Sequence, residues 1–350
     1  MKILEINTEK TWRGGERQTY YNIEGIKKLG TEMELLCRKK FPLSINAATL
    51  GIKIHPVNGL FTALFFLISN GKKYDLIHTQ TAKAQFYAVL TKLFHHRPIV
   101  YTRRVDFVQK GFFTKQKYLR TDKVIAISQA IKNILTNFGI RNVSIISDAI
   151  APKNLNKKRV QKFIIEMDLQ GKKILGTTAA FVQHKDPLTM VNSIYELSLL
   201  RKDFIFLHFG DGILKPLVEE KIKELQLTAV YKIMGFVEEV EDFFSIFDVF
   251  MMSSEEEGLG SSVLDAFIYK VPVITTNAGG LKEIGLERSL MSNVKDYKSL
   301  AENCNRILND ASLKIKLTDA AYEYVIKEHS IDKIAKSYQG LFLELTGNRN

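Results

Sequence analysis

The stretch Glu257-Gly258-Leu259-Gly260-Ser261-Ser262-Val263-Leu264-Asp265 lies inside a longer run, Asp248 to Ile284, whose pattern decides the fold. Phe247–Met252 is too apolar for a surface and is expected to be a buried strand. A glycine loop follows, then a helix, a second strand over Val271–Thr275 and a second glycine loop at Gly279-Gly280. Acids stand where the first loop begins (Glu257), within the helix (Asp265) and after the second loop (Glu283). A loop leading into a helix N-terminus offers backbone N–H groups to an anion. Fixed carboxylates accept hydrogen bonds from hydroxyls. A ligand carrying phosphates and many hydroxyls, such as a nucleotide-sugar, suits both.

The same strand–loop–helix rhythm runs along the whole chain. In the first half, strands are expected at Lys2–Asn7, Met33–Cys37, Leu76–Thr79, Ile99–Thr102 and Lys123–Ile127. Helices are expected between them, at Gln18–Leu29, Leu60–Asn70 and Ala82–Phe94, and after them at Gln129–Phe138. From Asp148 to Arg159 the pattern lapses, and Pro152 with its polar neighbours marks a linker. The rhythm restarts with strands at Lys173–Ala179, Phe204–Phe209 and Val230–Met234 and helices at Leu188–Leu200 and Lys215–Leu225. Three helical stretches close the chain. Alternating strands and helices predict an α/β fold of doubly wound parallel sheets. The chain of 350 residues accommodates two such domains, placed at 1–150 and 151–330, with a C-terminal helix over 331–350 returning to the first. Ligands are expected in a crevice at the carboxyl ends of the strands.

Composition narrows the function classes. Cys37 and Cys304 match no ligand or redox spacing, which reads as a reduced, cytoplasmic protein. Leu60–Ile68 is the longest apolar run, too short to span a bilayer. It is expected to be a core helix, with a membrane-facing apolar patch as the minor reading. Residues 1–150 carry 24 Lys and Arg against 10 Asp and Glu, whereas 151–350 carry 26 against 28. An asymmetry confined to one half points to a surface meeting an anionic partner: nucleic acid, an anionic membrane face or an anionic lipid-linked substrate.

Further candidates follow strand ends. Gly14-Gly15, flanked by Arg13, Arg17 and Gln18, sits between the first strand and first helix and lets a backbone approach a phosphate or sugar. Gly210-Asp211-Gly212 lacks the third glycine of a dinucleotide fingerprint, so it is expected to be a turn near the ligand. Lys185 can reach a pyrophosphate from a strand end, with Asp186 capping the next helix and Pro187 at its first position. His78 and Arg103-Arg104 end two strands of the first half. One of the adjacent arginines is expected to be partly buried and to need an anion.

The combination Glu257…Asp265, Pro272-Val273 and Gly279-Gly280-Leu281-Lys282-Glu283 resembles the retaining family 4 glycosyltransferases of GT-B fold. Thr11–Gln18 and Arg103-Arg104-Val105-Asp106 look like a bacterial branch acting on lipopolysaccharide and other cell-surface glycans. The resemblance implies two Rossmann-like domains facing a central cleft. It also implies transfer of a hexose or N-acetylhexosamine to a lipid-linked or otherwise anionic saccharide at the inner face of the cell membrane. Neither a metal, a cofactor nor a nucleic-acid partner is implied. Glu257, Lys185 and His78 would be catalytic. Gly14, Gly15, Gly210, Gly258, Leu259, Gly260, Ser261, Asp265 and Glu283 would line the donor with Lys185, and Arg17, Arg103 and Arg104 the acceptor. The chain departs from the family's pattern at three positions: Asp265 replaces Glu, Ala180 stands where Arg is frequent, and Gln80 where a second histidine is frequent. Arg13, Arg17 or Arg103 is expected to supply the missing phosphate cation. The alternatives are a sugar-nucleotide epimerase of this fold, a basic membrane- or nucleic-acid-binding module, and an inactive surface-binding relative.

Overall fold

The structure, a computed structural model, describes residues 1–108 and 110–347. The chain divides into two compact units, Met1–Ala149 with Glu328–Asn350, and Ile150–Lys327. Each is built on one parallel sheet with helices on both faces.

The first sheet contains β1 (Lys2–Asn7), β2 (Glu32–Arg38), β3 (Lys53–Val57), β4 (Leu76–Thr79), β5 (Ile99–Arg103), β6 (Lys123–Ala126) and β7 (Val143–Ile145). Their spatial order is β3-β2-β1-β4-β5-β6-β7. The chain steps outward from β1 to β3, then crosses back and continues from β4 to β7. Right-handed crossovers therefore put Gly14–Lys28 and Pro42–Ala48 on one face, and Leu60–Asn70, Ala82–Leu90 and Phe112–Leu119 on the other. The helix pairs in contact agree with this division. The C-terminal helix Ile331–Gly347 packs on Gly14–Lys28. Gly25 allows that approach, since a Cβ there would lie 2.7 Å from Ala335 Cβ and 2.8 Å from Ile331 Cγ2.

The helix Leu60–Asn70 corrects the core-helix expectation. Ala63 and Leu67 are buried, but Phe61 and Phe65 are 82% and 72% exposed. The linker also proves shorter than its composition suggests. Asp148 and Ala149 are bonded within the first unit, and a helix capped by the Asn156 side chain begins at Lys157. Segment 150–156 is tied to the second unit by Lys153 N–H to Tyr269 (3.1 Å) and Asn156 N–H to Asp242 (2.8 Å).

The second sheet contains β8 (Lys173–Thr178), β9 (Phe204–Phe209), β10 (Tyr231–Gly235), β11 (Val249–Met252), β12 (Val273–Thr276) and β13 (Leu290–Ser292), in the order β10-β9-β8-β11-β12-β13. Its core joins Leu175, Phe206, Val249 and Ile274 from the strands to Val191, Ile194 and Leu197 of the helix Pro187–Leu200.

Glu34 couples three strands of the first sheet. Its carboxylate binds Lys2 Nζ (2.6 Å), His55 Nε2 (2.6 Å) and the Tyr74 hydroxyl (2.6 Å). Burial pushes the Glu34 pKa up, but the bonds from Lys2, Tyr74 and His55 outweigh it and hold the group at about 2. Because the folded value lies below the unfolded one, this stabilisation is complete above the ordinary carboxylate range and is lost as pH falls toward 2. Glu34→Gln is expected to cost on the order of 3 kcal/mol at neutral pH. Chemical denaturation followed against pH should show the two proteins converging between about 4.5 and 2.

Candidate functional site

In the second unit the chain leaves β8 toward β9 and β10, then returns to lay β11 on the other side of β8. At such a switch point adjacent loops diverge and leave a crevice at the carboxyl ends of the strands. Lys185 comes from the loop after β8 and Glu257 from the loop after β11. Their side chains meet across the switch point as an ion pair, 19% and 13% exposed. Neighbouring bonds fix both loops. The Glu255 and Glu256 N–H groups donate to the His184 carbonyl (2.9 and 3.2 Å), and the Ser253 hydroxyl donates to the carbonyls of Lys185 and Asp186. Asp186 caps the helix that starts at Pro187 by accepting from Thr189 N–H (3.2 Å).

The loop beyond Glu257 is shaped from behind by the glycine pair after β12. Gly280 N–H donates to the Glu257 carbonyl (2.8 Å). A Cβ on Gly280 would lie 2.6 Å from Leu259 Cα and collide with the Gly258 carbonyl. Gly260, at φ 99°, then turns the chain into the helix Ser261–Ile268. The Ser262 hydroxyl ties that helix to the end of β8 through the Thr178 carbonyl (3.2 Å). Leu259 is buried, and Asp265 is a nearly buried acid in the middle of the helix. Gly210 follows β9, its N–H bonded to the Gly235 carbonyl (2.8 Å).

Gly279 and Gly280 form the first turn of the helix Gly279–Gly285 in place of the loop expected there, and Glu283 is exposed beyond that turn. Gly280→Ala has no flexible neighbour to displace and must move backbone. It is expected to destabilise the second unit by about 1–3 kcal/mol, readable as a lowered Tm.

The first unit holds its candidates differently. Gly14 and Gly15 form the first turn of a helix rather than the loop expected for them. Glu16 organises that turn, accepting from Arg13 N–H (2.9 Å), the Thr11 hydroxyl (3.1 Å) and the Asn7 amide (3.4 Å). Glu16, three residues after Arg13, makes the acid's half of a capping box, but Arg13 has no side-chain acceptor to return the bond, so the sequence carries no capping signal there. Gln18 does not face a ligand. Its amide exchanges two bonds with the Ala149 backbone (2.7 and 2.8 Å). Arg17 is also buried.

His78 is a core residue. It is fully buried, with Nδ1 3.0 Å from Glu5 and Nε2 2.8 Å from the Thr102 hydroxyl. Thr102 in turn meets the Tyr338 hydroxyl at 2.9 Å. Gln80 donates to Glu5 and accepts from Arg104, so the departure from histidine there serves an internal network. The adjacent arginines do find acceptors, but inside the unit. Arg103 is fully buried and donates to the Val105 and Phe107 carbonyls and the Tyr118 hydroxyl, and Arg104 pairs with Asp148 (2.9 Å). Carbonyls therefore take the place of the anion expected for Arg103, which is not available as a phosphate cation. Among the described residues, no three or more His, Cys, Asp or Glu are grouped as metal ligands.

Comparison with known proteins fits this geometry. Residues 12–153 match the model of Glycosyltransferase Family 4, and residues 161–324 that of Glycosyl transferases group 1. A 2-deoxystreptamine N-acetyl-D-glucosaminyltransferase of Niallia circulans is 29% identical over 48% of this chain and 45% of its own. The lipopolysaccharide core biosynthesis glycosyltransferase LpsE of Rhizobium meliloti is 24% identical over 47% and 48%. The chain thus spans about half the length of these curated relatives. The crystal structure of Anabaena HepE with UDP and glucose shares the fold, with a TM-score of 0.86 at 16% identity over 98% of this chain and 100% of that one. The chain belongs to the family 4 glycosyltransferases.

Proposed function

We propose that this protein transfers a hexose or N-acetylhexosamine from a nucleotide-sugar to a lipid-linked saccharide, with retention at the anomeric carbon and no metal. The observation that carries this reading is the Lys185–Glu257 pair at the β8/β11 switch point, beside the loop Gly258–Gly260. A cation, a carboxylate and a helix N-terminus gathered there match the charges and hydroxyls of a sugar diphosphate. HepE, solved with UDP and glucose, and relatives named for N-acetylglucosaminyl transfer and lipopolysaccharide core synthesis support the donor and acceptor classes. The basic first unit suits an anionic acceptor or membrane face.

In this reading the Glu257 carboxylate exchanges its lysine for hydroxyls of the bound sugar. Lys185 turns to the pyrophosphate, Asp265 and Glu283 serve the hydroxyls of the nucleoside and sugar, and the N–H groups opening at Ser261 face phosphate. The bond from the anomeric carbon to the phosphate oxygen breaks while the acceptor hydroxyl oxygen bonds to that carbon from the same face. The departing phosphate takes the hydroxyl proton, and Lys185 opposes the charge that develops on it.

Lys185→Ala and Glu257→Ala are each expected to lower transfer roughly a hundredfold or more. The measurement is turnover of UDP-glucose and UDP-N-acetylglucosamine with a lipid-linked oligosaccharide, with a melting curve of each variant to show that it folds. Full activity in both variants would remove this site from the chemistry.

A further inference from the structure

The outer surface of the helices Leu60–Asn70, Ala82–Leu90, Lys92–His95 and Phe112–Leu119 is apolar where a soluble surface would be polar. These helices share one face of the first sheet: Leu60–Asn70, Ala82–Leu90 and Lys92–His95 pack on one another, and Ala82–Leu90 packs on Phe112–Leu119. In the first of them, Ala63 and Leu67 bury one stripe, while Phe61, Phe65 and Ile68, spaced by four and three residues, stand exposed on the opposite one. Leu93 is 83% exposed, and Phe112 and Phe113 are 69% and 87% exposed. Scattered exposed apolar residues are ordinary, but this is a concentration of phenylalanine. By contrast, Phe236 is the one strongly exposed phenylalanine among the described residues of the second unit.

Charge indicates what covers this surface. None of the four helices contains an acidic residue. Residues 60–120 carry 11 Lys and Arg against two Asp. One of those acids, Asp75, is engaged by the backbone N–H of Lys2 (2.7 Å). Lys72, Lys83, Lys110 and Arg120 are exposed among the apolar side chains. Phenylalanine and leucine set among lysines is the composition of a surface lying in the interface of an anionic bilayer, with rings at the headgroup boundary and cations on the lipid phosphates. Among the described residues no helix is long and apolar enough to cross a membrane.

We propose that this four-helix surface docks the protein on an anionic phospholipid bilayer. The inference deepens the proposed acceptor class and rests on it, since a lipid-linked saccharide is met at a membrane surface.

The test is co-sedimentation of the full chain with vesicles of phosphatidylcholine alone and of phosphatidylcholine and phosphatidylglycerol in equal parts. Strong binding to the anionic vesicles, weak binding to the neutral ones and release by salt are expected. Phe61→Ser/Phe65→Ser and Phe112→Ser/Phe113→Ser should each lower partition about tenfold or more, with unchanged melting because the replaced rings are exposed. Sedimentation velocity without lipid tests whether a second copy of the chain is the occupant instead. The proposal is overturned by absent binding to anionic vesicles, equal binding to neutral ones, or binding insensitive to both Phe pairs. Self-association abolished by those pairs would overturn it as well. Because no donor is present, Lys185→Ala should bind vesicles like the unaltered protein, which separates failure here from failure of the catalytic site.

Discussion

The N–H of Gly280 reaching the carbonyl of Glu257 is the contact on which the second unit's site depends. It joins the first turn of the helix Gly279–Gly285 to the loop after β11 with only backbone between them. The closeness of that packing sets where residues 257–260 can run, and so where the Glu257 carboxylate sits relative to Lys185 on the far side of the switch point. Two glycines in the sequence thus act at a distance from themselves: they shape a neighbouring loop.

Much of this was legible in the residues. Central strands such as β1, β4 and β9 and the helices Leu60–Asn70 and Ala311–Glu328 are long or apolar enough to announce themselves. The strands without such a signal, β3, β7 and β13, are all at sheet edges. Half-exposed edges need no continuous apolar run, and β3 even carries Pro56, tolerated because an edge strand bonds on one side only. The site acids and lysine of the second unit were legible because a glycine loop after a buried strand leaves few places for a charge to go.

The strand ends of the first unit are less legible for a related reason. A polar residue at the end of a buried strand looks the same in sequence whether it faces a ligand or another strand's side chain. His78, Gln80, Arg103 and Arg104 all stand at such ends, and all four are spoken for inside the unit. Their partners lie far along the chain: Asp148 for Arg104, and Tyr338 through Thr102 for His78. Pairings over 44 or 236 residues leave no local pattern to read. The C-terminal helix therefore does more than cover Gly25. It supplies the hydroxyl that closes a buried polar chain beginning at Asp148.

The Lys185–Glu257 pair has one more consequence. With its ammonium already neutralised by a carboxylate, the unliganded site offers a lone phosphate little reward, because the glutamate would be left stranded. A lone sugar fares no better, since it would have to compete with the lysine. On the proposed reading only a molecule that satisfies both partners at once repays their separation. The pair would then act as a coincidence detector, admitting a sugar joined to a diphosphate while ignoring the abundant free pieces of each.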